Sequence, residues 1–170
     1  MKTMRKVGSK SYTGLVELAK TLPPINTMVE LGSHIGESAA IFLNHARVNR
    51  IYCVDVWWGD VGGEFESEFD VFAAHHPTVV KIKKFTHDAA ADFKDGELDF
   101  VYIDAKHAYE YVKRDIDLWL PKIKPDGIIA GHDYVWWLPG VIQAVAERFD
   151  RPHHVFRDGS WIVNLAEGYG

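Results

Sequence analysis

The stretch Thr27-Met28-Val29-Glu30-Leu31-Gly32-Ser33-His34-Ile35-Gly36-Glu37-Ser38 decides how the chain folds. Met28, Val29 and Leu31 make a short apolar run of the kind a buried strand shows. Gly32 and Gly36 bracket a tight turn, and residues 37–46 read as a helix with Ala39, Ala40, Phe42 and Leu43 inward. Glycine lets a backbone approach a ligand with no Cβ in the way. The first turn of the helix leaves amide groups free to bind one. Strand, glycine turn and helix together hold nucleotide-like ligands in doubly wound folds. A dinucleotide fingerprint needs a middle glycine in Gly-x-Gly-x-x-Gly. Here that place falls to His34, or to Ser33 in the shifted frame, which disfavours a nicotinamide-dependent oxidoreductase. The spacing is instead Glu-x-Gly-x-x-x-Gly, with the acid Glu30 ahead of the turn.

Outward from this turn, strand and helix patterns alternate. Before it, residues 12–21 form an amphipathic helix carrying Leu15, Leu18 and Ala19, stopped by Pro23 and Pro24. Residues 1–10 are a loose basic arm. The organisation expected is an arm and short helix over residues 1–24 and one ligand-binding domain over 25–170. After the turn, residues 50–56 are a second strand, apolar up to Asp55 as in a strand buried on both faces. Residues 64–75 are a helix with Phe65, Phe69 and Phe72 on one side. Residues 79–85 are a third strand ended by Thr86, His87 and Asp88, followed by a short helix over 89–93. Residues 98–103 are a fourth strand closed by Asp104, and a helix runs on to Leu120 with Tyr109, Val112, Ile116 and Trp119 at helical spacing. Asp126-Gly127 turns the chain into a fifth strand over 128–130, closed by Gly131, His132 and Asp133. A helix over 139–149 and a hairpin of 154–156 and 161–165 around Asp158-Gly159 complete the chain. The alternation predicts an α/β fold with a mostly parallel sheet, helices on both faces and an antiparallel hairpin at the C-terminal side.

The 170 residues suit one domain with its own core. A net charge of −5 with no basic stripe argues against a nucleic-acid binder. The single cysteine, Cys53, excludes an internal disulfide and suits a reducing, cytoplasmic setting. The basic N-terminal arm has no apolar segment behind it, unlike a secretory signal. The longest apolar-rich run, residues 134–146, contains Pro139 and Gly140 and is too short for a bilayer. No membrane partner is expected, and a homo-oligomer stays open.

In open α/β sheets, ligands sit beyond the carboxyl ends of the strands. Glu30, Asp55, Asp88, Asp104, His132 and Asp133 all fall there. Asp55 lies 19 residues after Gly36, where an acid commonly holds a ribose hydroxyl pair. Val56 and Trp57 follow it directly. His87 and Asp88 are placed to hold an adenine amino group. Asp104, His132 and Asp133 close two strands expected to be neighbours. Carboxylates gathered on one rim repel unless something positive arrives. A divalent cation of the Mg2+ or Mn2+ kind suits the oxygen ligands, and the imidazole widens the choice. An acidic rim with no metal is the alternative. Trp57, Trp58, Trp136 and Trp137 lie just past strand ends, placed to wall an apolar or aromatic acceptor.

Two longer runs carry a more specific signal. One is Asp99-Phe100-Val101-Tyr102-Ile103-Asp104-Ala105-Lys106-His107-Ala108-Tyr109-Glu110. The other runs from Leu120-Pro121-Lys122 to Ile128-Ile129-Ala130-Gly131-His132-Asp133-Tyr134. With the Glu30-Gly32-Gly36 turn they resemble class I S-adenosylmethionine-dependent methyltransferases. The likeness is to the small-molecule group related to macrocin O-methyltransferases and cephalosporin-hydroxylase-like proteins (the methyltransferase 24 type), over about residues 29–149. The resemblance implies a Rossmann-like fold with a seven-stranded sheet and S-adenosylmethionine as cofactor, S-adenosylhomocysteine being the product. It implies a cofactor site of Glu30, Gly32, Ser33, Gly36, Ser38, Asp55, Val56, Trp57, His87, Asp88 and Asp104. The group is similar in fold to catechol O-methyltransferase, whose metal-ligand positions match Asp104, His132 and Asp133, with His132 standing where that enzyme has a carboxylate. Its lysine base matches His107. The resemblance therefore implies His107 as general base, with Lys106 as runner-up and Asp104 beside them, and O-methylation of a small-molecule acceptor, assisted or not by Mg2+ or Mn2+. A relative that binds the cofactor without catalysis is the alternative.

Overall fold

The computed structural model describes residues 12–58 and 62–169, so the arm expected at residues 1–10 lies outside the described residues. Seven strands form one sheet: β1 (Ile25–Leu31), β2 (Val48–Asp55), β3 (Val79–Lys83), β4 (Leu98–Ile103), β5 (Ile123–Gly131), β6 (His154–Val155) and β7 (Trp161–Asn164). Their order is β3-β2-β1-β4-β5-β7-β6. The first five run parallel, and β7 pairs antiparallel with both β5 and β6. The central strand β1 pairs with β2 through Leu31 and Val54, and with β4 through Leu31 and Ile103. The chain crosses from one side of the sheet to the other at this strand, which is the switch point where such sheets take ligands.

Among the described residues, six helices cover the two faces: α1 (Thr13–Thr21), α2 (Glu37–His45), α3 (Gly62–Ala74), α4 (Thr86–Ala89), α5 (Tyr109–Trp119) and α6 (Pro139–Phe149). Strand alternation divides the core between them. Val29, Leu31, Val101, Ile103 and Ile129 pack toward α5 and α6, against Val112, Ile116, Trp119, Val145 and Phe149. Met28, Phe100, Tyr102, Ile128 and Ala130 face the other way, against Leu15 and Leu18 of α1, Phe42 of α2 and Phe69 of α3. Phe42 is fully buried, its ring 5.4 Å from Phe100 and 5.0 Å from Tyr102, both edge-on. Helix α1 is tied to the opposite end of the chain. The Leu15 amide donates to the Asp158 carboxylate at 2.8 Å, and the other oxygen of Asp158 accepts from the Ser160 amide at 3.0 Å within the β6–β7 turn.

Three elements differ from the sequence expectation. Strand β3 stops at Lys83, and Thr86, His87 and Asp88 belong to α4 rather than to a strand end. Two consecutive lysines, Lys83 and Lys84, break the in-out alternation, and the Lys84 amide, the last on the ladder to the Asp55 carbonyl, also turns back to the Ile82 carbonyl at 3.1 Å. Strand β5 begins at Ile123, five residues early. Pro125, Asp126 and Gly127 sit inside it because the pairing with β4 shifts register between Leu98 and Phe100, which absorbs them as an irregularity. The hairpin strands are shorter than expected, β6 being two residues long.

Phe42→Ala should destabilise the protein by about 3–5 kcal/mol in urea unfolding, since it empties the junction of three buried aromatic rings. A loss under about 1 kcal/mol would mean that this face of the sheet is not closely packed.

Candidate active site

The turn after β1 is shaped by backbone conformations that few side chains tolerate. Gly32 has φ +88°, and a Cβ there would overlap the Asp104 carbonyl. Gly36, φ +92°, is the N-cap of α2 and lies against the Phe72 ring. Between them His34 takes φ +46°. Asp55, at the end of β2, holds this turn. Its Oδ2 accepts the amides of Ser33 and His34, each at 3.0 Å, and its Oδ1 accepts the Trp57 amide at 2.9 Å. The Trp57 indole N–H closes the arrangement on the His34 carbonyl at 2.6 Å.

A cavity of about 720 Å³ opens here over the carboxyl ends of β1, β2 and β4. Gly32, Ser33, Ser38, Asp55 and Val56 line it, and so do His87, Asp104, Lys106 and His107. These are nine of the residues that the sequence singles out. Six others are off its wall, His132 and Asp133 on the β5 side and four of the expected cofactor set. Glu30 is fully buried behind Ser38, whose hydroxyl donates to it at 2.5 Å. Burial pushes the Glu30 carboxyl up to about 7, against the hydrogen bonds from Ser38, Ser33 and Cys53 that favour its charge. Gly36 shapes the turn from outside the cavity. Trp57 is in the core beside Phe69. Asp88 is exposed, 3.7 Å from the Nε2 of His87. Of the four tryptophans expected to form a wall, only Trp58 borders the cavity, while Trp136 and Trp137 stack edge-to-face on the surface.

The wall also holds residues that the sequence reading missed. The buried Asp115 of α5 accepts the Thr86 hydroxyl at 2.6 Å. Burial raises its carboxyl to about 6, resisted by the Thr86 bond and the nearby Arg114. A signal for it exists: Asp115 follows Val112 by three residues and precedes Trp119 by four, so an acid interrupts an apolar stripe. Tyr12 and Glu37, joined hydroxyl to carboxylate at 2.8 Å, border the cavity beside the start of α2.

At the β4–β5 side, Asp104, His107 and Asp133 gather so that one ligand atom from each lies within 4.8 Å of the others. His107 Nε2 is 2.8 Å from Asp133 Oδ2 and 3.7 Å from Asp104 Oδ1. The two carboxylates raise the imidazole to about 9, outweighing partial burial. Burial alone would raise Asp133, but His107 and His132 hold it well below the usual carboxylate range. His132 is outside the group of three: its ring is buried, with Nδ1 3.1 Å from Asp133 Oδ1. Asp133 takes φ +61°, a strained conformation for a residue with a side chain, and the strain sits where its carboxylate meets both imidazoles.

Residues 29–134 match the profile of a family described as "Methyltransferase domain". The chain belongs to this methyltransferase family. It is 28% identical over 160 residues to an uncharacterized protein of Sinorhizobium fredii, covering 83% of this chain and 18% of that protein. It is 27% identical over 128 residues to an uncharacterized protein of Acanthamoeba polyphaga mimivirus, covering 70% of this chain and 57% of that protein. It thus spans less than two thirds of the length of either relative. Among solved structures it resembles the precorrin-6y C5,15-methyltransferase of Geobacter metallireducens, with a TM-score of 0.64, 13% identity, and coverage of 85% of this chain and 74% of that one. The sheet order is that of the Rossmann-like methyltransferase fold. Among the described residues, no helix is long and apolar enough to cross a membrane.

Glu30 gives a pH-dependent signature. Its folded pKa of about 7 lies above the ordinary 4.5, so its contribution favours the fold below pH 4.5 and is lost as pH rises through 7. Glu30→Gln should therefore stabilise the protein at pH 8, by up to roughly 3 kcal/mol, and the two unfolding curves should converge near pH 4. Equal stabilities at both pH values would show that Glu30 is not held in a dry environment.

Proposed function

We propose that the chain is an S-adenosylmethionine-dependent methyltransferase that methylates an oxygen of a small-molecule acceptor. The observation that supports this best is the continuity of the cavity. One space runs from the glycine turn and Asp55 to the imidazole of His107. A cavity of this volume suits a nucleoside-sized ligand with room beside it.

The wall fits the cofactor's chemistry. Ser33 and His87 line this region, and α2 presents its first turn beside Ser38. Asp55 Oδ1 accepts a single amide and keeps a lone pair for a hydroxyl. In this reading Ser33, Ser38, Asp55, Thr86, His87 and Asp115 hold the cofactor. When bound, S-adenosylmethionine supplies an electrophilic methyl on a sulfonium.

His107 is the group placed to take the acceptor's proton. Clamped by two carboxylates, it is protonated at neutral pH and becomes a strong base once it loses that proton. With the cofactor bound, methyl transfer to the acceptor oxygen would leave the sulfur–methyl electron pair on sulfur, and the imidazole of His107 would take the hydroxyl proton. Asp104 and Asp133 stabilise the imidazolium that results. The same three side chains, two carboxylates and an imidazole, have the donor set of a divalent-cation site, and a cation of the Mg2+ or Mn2+ kind would lower the pKa of a hydroxyl bound to it. Cation and proton compete for His107, so the pH profile separates the two modes.

Calorimetry should find S-adenosylmethionine and S-adenosylhomocysteine binding to the full chain, and Asp55→Ala should weaken both by about tenfold or more, the loss of one charge-assisted hydrogen bond. A folded protein that binds neither sinks the methyltransferase reading. In EDTA, turnover should rise with pH through about 9 and be lost in His107→Gln. If Mn2+ moves that rise to lower pH, and Asp104→Asn or Asp133→Asn abolishes the move, the cation belongs to the mechanism; an unmoved profile assigns the proton transfer to His107 alone.

A further inference from the structure

The charges on the cavity wall do not balance locally. Each acid there already has a partner. Asp55 has three amides, Glu37 the Tyr12 hydroxyl, Asp115 the Thr86 hydroxyl and the nearby charge of Arg114, and Asp104 the imidazole of His107. Lys84 is bound to Asp92 at 2.6 Å. Lys106 and Arg114 differ. Among the described residues neither makes a hydrogen bond or an ion pair, and the buried Nε of Arg114 has no partner. Both instead gather on one ring. Lys106 Nζ stands 4.4 Å, and the Arg114 guanidinium carbon 5.3 Å, from the centroid of Tyr111, which lines the same cavity. An aromatic face attracts each cation, yet two cations drawn to one ring repel each other. An anion between them removes that conflict. A guanidinium with an unused donor is the side chain best shaped to bind a carboxylate or phosphate.

We propose that Lys106 and Arg114, steadied by Tyr111, form an anion subsite for the acceptor, so that the substrate is a hydroxylated acid whose anionic group binds there while its hydroxyl reaches His107. This rests on the methyltransferase reading. The cofactor's own carboxylate has the same chemistry, and the test separates the two sources.

The full-length chain, its Lys106→Gln/Arg114→Gln double variant and Arg114→Lys would be compared in two measurements. Calorimetry would use S-adenosylhomocysteine and 5′-methylthioadenosine, which lacks the amino-acid end. Methyl transfer from labelled S-adenosylmethionine would use 3,4-dihydroxybenzoate and 3,4-dihydroxycinnamate, each against its amide. The expected result is a preference for the acids of about tenfold or more in kcat/KM, carried by KM. It should vanish in the double variant, survive in Arg114→Lys, and leave S-adenosylhomocysteine affinity unchanged. Equal use of acid and amide overturns the proposal. So does a large loss of S-adenosylhomocysteine affinity with 5′-methylthioadenosine unaffected, which would give the cations to the cofactor. No turnover of any acid by a chain that still binds S-adenosylhomocysteine also overturns it, whereas absence of that binding in the unmodified chain removes the methyltransferase reading itself.

Discussion

The backbone at Gly32 passes so close to the Asp104 carbonyl that no side chain fits between them. Much else follows from that contact. The ladder between β1 and β4 runs to its end, with the Asp104 amide on the Leu31 carbonyl at 2.8 Å. The ladder to β2 does the same, with the Gly32 amide on Val54 at 2.8 Å. Only then does the chain leave the sheet, through a left-handed glycine that makes the exit sharp. The cavity therefore opens directly on the ends of three strands, and Asp55 and Asp104 come to border one space although 49 residues separate them in the sequence.

A rim this rich in acids folds because each of these acids is answered on the spot. Asp55 is answered by amides, which are partial charges that need no counter-ion. Asp133 is answered by two imidazoles, one on α5's approach and one beside it in the chain. Glu30 is answered by taking up its proton more readily. The charge of His107 offsets the carboxylates of Asp104 and Asp133.

The sequence made local features legible. The glycine turn, the apolar second strand ending in Asp55, and the helical spacing of Val112, Ile116 and Trp119 are all patterns of a few residues, and each is found where expected. What was not legible depends on distance or on conformation. Thr86 and Asp115 meet across 29 residues, and no local period announces that. Asp126-Gly127 has the composition of a turn, yet neighbouring strands hold it inside β5. The sequence put His132 with Asp104 and Asp133, whereas the structure gathers His107 with those two carboxylates. Asp133, with its positive φ, meets His107 with one carboxylate oxygen and His132 with the other. Trp57 and Trp58 are adjacent in sequence, yet the left-handed turn at Trp57 sends one ring into the core and leaves the other exposed at the cavity.

The link between Asp158 and Leu15 bears on how the chain is made. The carboxylate that satisfies a first-turn amide of α1 is 143 residues further on, so a ribosome delivers the helix long before its cap. Closing so long a loop costs entropy that only the assembled sheet can offset. During synthesis α1 must wait with that amide facing water, and it settles when the last hairpin joins β5. That amide of α1 is thereby secured only once the turn between β6 and β7 is in place.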